Sequence, residues 1–243
     1  MSIVPLKAIN SFILAIVMAL PVLAACGNTA TDPGPDDKKV VKAKAGSSYV
    51  YDNIKHYDNN VDTVRTDSLV FISADNVLEG MTGLLRLYNS ANRDTGFVRY
   101  EPNGDLISIR AIDTNRDGVR DSYEPATFPF GSHSRLQTDI DTTYYPGSGY
   151  TVTADSICYA GNKNITVPAG TFAASAVIMV RQYQDYTATG IPSWCIREVD
   201  SLYFAPSVGF IVKETSAHET LDENGVLLQR KRLSDFNLKF YRL

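Results

Sequence analysis

The sequence holds few of the residues that announce a specialised chemistry. Only three cysteines occur among 243 residues, which excludes a disulfide-dense scaffold and a four-thiolate zinc site. The three histidines, His56, His133 and His218, lack the close spacing of a helical zinc motif and read as surface residues. No nucleophile-elbow serine, phosphate-cradling glycine loop or dinucleotide fingerprint is present. The net charge is −4 and no basic stripe occurs, which argues against nucleic-acid binding. Long amphipathic helical periods, heptads and internal repeats are also missing. After residue 23 no apolar run approaches the roughly 20 residues a spanning helix needs. What remains is an ordinary globular balance, 44% hydrophobic and 21% charged, so extended disorder and collagen-like repeats are excluded.

The first segment gives an address. Met1–Lys7 carries one basic side chain and no acid, and Ala8–Leu23 is mostly apolar, interrupted by Asn10, Ser11 and Pro21. A short apolar core behind a basic start is the pattern of an export signal. It ends in Leu23-Ala24-Ala25-Cys26, which resembles the bacterial lipobox. That resemblance implies cleavage before Cys26 and a diacylglyceryl group on its thiol, with further acylation of the new amino terminus. Two or three acyl chains anchor stably where one would be marginal. The competing reading is an ordinary secretory signal followed by a chance cysteine. Gly27 stands where an acid would resemble the inner-membrane retention signal, so the outer membrane is expected. Residues 1–25 are then the signal, 26–47 a lipidated cysteine with a flexible tether, and 48–243 one domain. The tether reading rests on the Pro, Gly, Ser and mixed charges of Asn28–Ser47, which would reach about 25 Å by chain statistics.

From Ser48 onward the dominant period is two. Leu106–Ile112, Val177–Gln182 and Phe210–Lys213 alternate or run apolar, and Tyr, Val, Ile, Thr and Phe crowd them, as pleated half-buried surfaces require. Asn103-Gly104 and Asn224-Gly225 predict hairpins that pair Phe97–Glu101 with Asp105–Ile112 and Phe210–His218 with Val226–Leu233. Val77–Tyr88 is the one stretch that could hold a helical turn or two, weakened by Gly80 and Gly83. The expected class is all-β: an antiparallel meander of roughly a dozen strands, curled into an open barrel or a sandwich. Trp194, Tyr203 and Phe204 share one expected strand and read as core, or alternatively as the lining of a ligand groove.

Two residue sets carry chemistry. Export leads to an oxidising compartment, and with Cys26 given to lipid, Cys158 and Cys195 remain as a pair. A disulfide between them would close a loop of 36 residues and stabilise by roughly 3–4 kcal/mol; two free buried thiols are the alternative. The second set is Asp113–Glu124, DTNRDGVRDSYE. Asp113, Asn115, Asp117, Val119 (through its carbonyl), Asp121 and Glu124 stand at the ligand positions of a twelve-residue calcium loop, with Gly118 at the sharp turn. The loop resembles that of the EF-hand family, yet the flanks do not: a strand pattern precedes it, Arg120 replaces an aliphatic residue and Pro125 follows at once. A structural Ca²⁺ clip between two strands is expected, as against a plain polar turn.

Val167-Pro168-Ala169-Gly170-Thr171-Phe172 and the later Ala205-Pro206-Ser207-Val208-Gly209-Phe210-Ile211-Val212-Lys213 resemble a group of bacterial secreted proteins and lipoproteins. The resemblance spans about Asn164–Leu233 and implies fold, not chemistry. By fold analogy, curled sheets of this kind resemble periplasmic lipoprotein carriers. Three functions fit these residues. The first is a non-enzymatic, membrane-anchored protein binding a protein or ligand on its β surface. The second is a carrier of an apolar ligand, and the third a hydrolase. An apolar concave cavity would favour the second, paired perturbed carboxylates the third, and a filled core the first.

Overall fold

In the computed structural model the described residues are 40–57, 62–90, 94–112, 122–132, 135–145, 148–222 and 225–243. They form twelve strands and, among the described residues, no helix. In chain order these are β1 (Ser48–Lys55), β2 (Thr63–Leu78), β3 (Met81–Asn89), β4 (Asp94–Tyr100), β5 (Leu106–Ile112) and β6 (Ser122–Phe128). The second half comprises β7 (Arg135–Tyr145), β8 (Gly149–Val167), β9 (Gly170–Thr187), β10 (Pro192–Ala205), β11 (Phe210–Leu221) and β12 (Leu227–Arg242). All belong to one antiparallel sheet, ordered β6-β5-β4-β3-β2-β1-β12-β11-β10-β9-β8-β7. The all-β meander read from the sequence is therefore present, as an open, unclosed sheet. The first and last strands pair at its centre, from Ser48↔Arg242 to Lys55↔Ser234. The edges are β6 and β7, which are consecutive in the chain.

A lone sheet with one apolar face has only itself to bury that face against, and this sheet curls. Phe130, just after β6, stacks on Phe204 of β10 at 5.0 Å between ring centroids. Eight strand steps separate β6 from β10, about 38 Å if the sheet were flat. One continuous core joins Tyr49, Tyr51, Phe71, Val98, Leu106 and Phe128 of the first half to Val177, Leu202, Phe204, Phe210 and Leu238 of the second. Tyrosine hydroxyls tie the halves across the interior. Tyr51 donates to the Ile211 carbonyl at 2.7 Å and Tyr100 to the Gly209 carbonyl at 2.6 Å.

The expected hairpin β4–β5 forms (Phe97↔Ile109). β11 and β12 pair as well, but only Ala217↔Arg232 and His218↔Lys231 fall within the expected spans, because Lys213–Ser216 meets Ser234–Asn237 further along β12. The stretch Val77–Tyr88 is not helical. Glu79 and Gly80 both take positive φ, 49° and 82°, and link Leu78 to Met81 as a two-residue hairpin, the primed geometry that matches strand twist. The end of the stretch read as tether is part of the body. Val41 N–H donates to the Pro206 carbonyl at 2.9 Å, and Ala43 is buried in the core.

The two signature segments meet this strap and the sheet at one end of the curl. The turn at Pro168–Ala169 docks on β12, where Ala169 N–H donates to the Leu238 carbonyl at 3.0 Å. Gly209 has φ +75°, and a Cβ built there would lie 2.0 Å from the Val41 carbonyl oxygen. Gly209→Ala should therefore destabilise by roughly 2–4 kcal/mol, read as a lower urea midpoint with unchanged slope.

A cavity inside the curled sheet

At the strapped end the interior is filled. Tyr49, Phe71 and Phe210 form an aromatic trio with centroids 5.1–5.8 Å apart. Further along the strands the walls diverge around a cavity of about 290 Å³, at the small end of the range for ligand pockets. Its apolar wall includes Leu69, Leu87, Val98, Leu106, Phe128, Leu202, Phe210 and Phe236. Strand alternation explains the lining. Leu69 and Asp67 point inward from β2 with Phe71, and Glu214 points inward from β11 with Phe210 and Val212.

The lining also holds Tyr51, Asn89 and Ser108, and its two charged residues are both acids. Asp67 and Glu214 both line the cavity, and no lysine, arginine or histidine among the described residues does. Asp67 is buried but partnered, accepting from Asn53 Nδ2 at 2.7 Å and from Arg65 Nε at 2.7 Å. For Glu214 the first effect is burial, which disfavours its anion, and the negative charge of Asp200 adds to it. Its carboxyl is pushed up to about 7.

Beyond Glu214 the inner face grows more polar towards solvent. Asp200 lies one pleat further, accepting from Ser216 Oγ at 2.5 Å. Burial raises its pKa, the Ser216 hydroxyl opposes that, Glu198 raises it further and Arg181 lowers it. Then come Glu198 and His218, 3.2 Å apart and about two-fifths exposed. Arg181 is engaged by Asp155 through two hydrogen bonds of 2.9 Å. A charged file thus leads from solvent to the acid in the cavity wall.

Of the site residues expected from sequence, Cys26 lies outside the described residues, as do Asp113, Asn115, Asp117, Val119 and Asp121. Glu124 is placed by its backbone in β6, opposite Arg110, so the candidate calcium loop joins two paired strands. Pro125 sits in that same strand opposite Ile109, which an edge strand tolerates.

The disulfide between Cys158 and Cys195 is not formed, since Cys195 is a free, buried thiol. The register explains why. Cys158 stands beside Ile178 of β9 and Cys195 beside Gln184. Six residues along a strand are about 20 Å, far beyond the Cα separation a disulfide spans. Burial pushes the Cys195 thiol up to about 11, which makes it inert. Of the three aromatics, Phe204 is core, whereas Trp194 is 43% exposed.

Sequence reasoning missed Glu214, Asp200, Asp67 and Asn53. The alternation Phe210, Val212, Glu214 carried the signal for the first of these, because a residue of that parity must face where the two before it face.

The sequence matches no known family model and no curated protein. Two crystal structures are similar to the chain. One, from Parabacteroides distasonis, is provisionally classed as a lipoprotein. It shares 12% identity at a TM-score of 0.39, over 86% of this chain and 100% of its own. The other, from Bacteroides fragilis, is provisionally classed as an exported protein with a YmcC-like fold. It shares 12% identity at a TM-score of 0.38, over 84% and 99%. Likeness of that degree carries no argument about this chain.

The raised carboxyl of Glu214 has a consequence for stability. Its ordinary pKa is 4.5 and its folded value about 7, so the folded state binds the proton more tightly. Stability from this group is full below about 4.5 and is lost as pH rises through 7. Glu214→Gln should leave stability nearly unchanged at pH 4.5 and raise it at pH 8 by on the order of 1–3 kcal/mol. Urea unfolding of both proteins at the two pH values measures the difference.

Proposed function

We propose that this is a lipid-anchored cell-envelope protein, non-enzymatic, that holds a small apolar moiety inside its curled sheet. The observation that carries the binding half is the cavity of about 290 Å³ with its aliphatic and phenylalanine wall. A filled interior would have left only the outer β surface to bind a partner. A pocket with such a wall and a few convergent polar groups accepts an apolar guest. The anchoring half rests on the export signal and Cys26 of the lipobox, which put a membrane-attached cysteine at the start of the mature chain. Gly27 after it favours the outer membrane.

A hydrolase reading has one observation in its favour, the neighbouring raised carboxyls of Glu214 and Asp200. It requires turnover, and its loss in Glu214→Gln, where the binding reading requires only occupancy. We further propose that Asp113, Asn115, Asp117, Val119, Asp121 and Glu124 hold a structural Ca²⁺ that clips β5 to β6. Their support is the hard-oxygen spacing and the paired flanks Ile112↔Ser122. A chelator should lower Tm, and Asp113→Ala should abolish that response; a Tm indifferent to chelator contradicts the clip.

Cavity binding is tested with an environment-sensitive apolar dye displaced by n-octanol. Leu202, in the cavity wall and 7% exposed, offers the blocking variant. Leu202→Trp should fill the space and weaken dye binding at least tenfold. Equal binding by a variant that remains folded would contradict an interior site.

A further inference from the structure

We infer that the cavity's ligand carries an ammonium-type head on its apolar body, received by a row of three inner-face residues, Asn53, Phe236 and Glu214. This deepens the cavity reading above and rests on it. The row is fixed by register: Asn53 of β1 stands opposite Phe236 of β12, and Phe236 opposite Glu214 of β11. The Cα atoms of the outer two are therefore two strand spacings apart, about 9.6 Å, with a phenylalanine between them.

Each member offers what a cation seeks. Glu214 is a half-buried carboxyl at the cavity wall with no hydrogen-bond or ion-pair partner among the described residues. Asn53 stands beside the lining residue Phe236, just behind the cavity wall, and is only 3% exposed. Its Nδ2 donates to Asp67, while its Oδ1 accepts no hydrogen bond, a costly omission for a buried acceptor. An ammonium group brings three donors, which an acceptor and a carboxylate can share. Phe236, between them in the cavity wall, offers an aromatic face to a cation.

Opposite charge is disfavoured by the same lining. Asp67 and Glu214 are in the wall, Asp200 is one pleat outward, and the nearest inner-face cations are already engaged. Arg65 is bound to Asp67 and Arg181 to Asp155. A carboxylate or phosphate head would enter beside acids with no free cation in the cavity wall. The outward file of Asp200, Glu198 and Asp155, relieved by Arg181 and His218, presents a negative approach, which steers cations inward.

The test compares n-octylamine, n-octanol and octanoate by isothermal titration calorimetry at pH 8. It uses the exported full chain bearing Cys26→Ser, so that no membrane or detergent competes. Octylamine should bind at least tenfold more tightly than octanol, and octanoate more weakly than both. Glu214→Gln should cut the octylamine affinity at least tenfold and the octanol affinity less than threefold. Should that variant fold poorly, wild-type protein supplies the same contrast, because the amine preference should shrink between pH 8 and pH 5 as Glu214 takes up its proton. The charged and titratable groups that face Glu214 are Asp200 on β10, Tyr51 on β1, Asp67 with Arg65 on β2, and the Glu198–His218 pair further out. Equal affinities for amine and alcohol, or a preference that survives in Glu214→Gln, would overturn the inference and leave the cavity reading standing. Binding of none of the three would overturn both.

Discussion

Everything in this molecule follows from a single sheet having to cover its own apolar face. No helix among the described residues packs on that face, so the sheet must curl until its two halves touch. The pairing of β1 with β12 makes the curl continuous through the middle of the sheet. The aromatic stack of Phe130 on Phe204 and the hydroxyls of Tyr51 and Tyr100 then set how tightly it closes. Edge exposure, which such a sheet would otherwise suffer, is confined to β6 and β7. There Asp105 accepts from the backbone N–H groups of Gly131 and Ser132 at 2.9 and 2.7 Å and holds the connection that follows β6.

Closure is uneven, and the unevenness makes the site. At one end the strap of residues 40–47, the turn at Val208–Gly209 and the hairpin tip at Pro168–Ala169 fill the curl. Away from that end the walls separate, and the alternation that delivers Phe210 and Val212 to the core delivers Glu214 to the gap. A carboxyl with its pKa pushed up to about 7 destabilises the fold at neutral pH. Residues that weaken a protein in this way are characteristic of binding and catalytic sites. In the proposed recognition of a cation, the charge of Glu214 is desolvated until a ligand partners it.

The local features of the fold were legible because their causes are local. Asn103-Gly104 and Asn224-Gly225 allow only a few turn geometries, and period-two alternation marks β5 and β11 directly. Long-range features were not legible. Cys158 and Cys195 are the right number and sit in strands, but whether they meet depends on register across β9, which spacing does not encode. Val77–Tyr88 misled because two glycines weaken a helix without indicating that Glu79-Gly80 turns a hairpin. The tether's end misled because its composition is polar, while Gly209, some 160 residues later, leaves the only room it needs. The cavity draws its lining from many strands, so no segment announces it; only the parity of Glu214 and Asp67 hinted at an acidic interior.

The central claim is that the ligand lies inside the curl and not on its outer face. Methyl-resolved NMR of the protein titrated with n-octylamine tests this most directly. The account predicts that shift changes concentrate on Leu69, Leu87, Val98, Leu106 and Leu202, which line the cavity. Changes confined to the exposed Val64, Val77, Val226 and Leu228, with the cavity methyls unmoved, would contradict it.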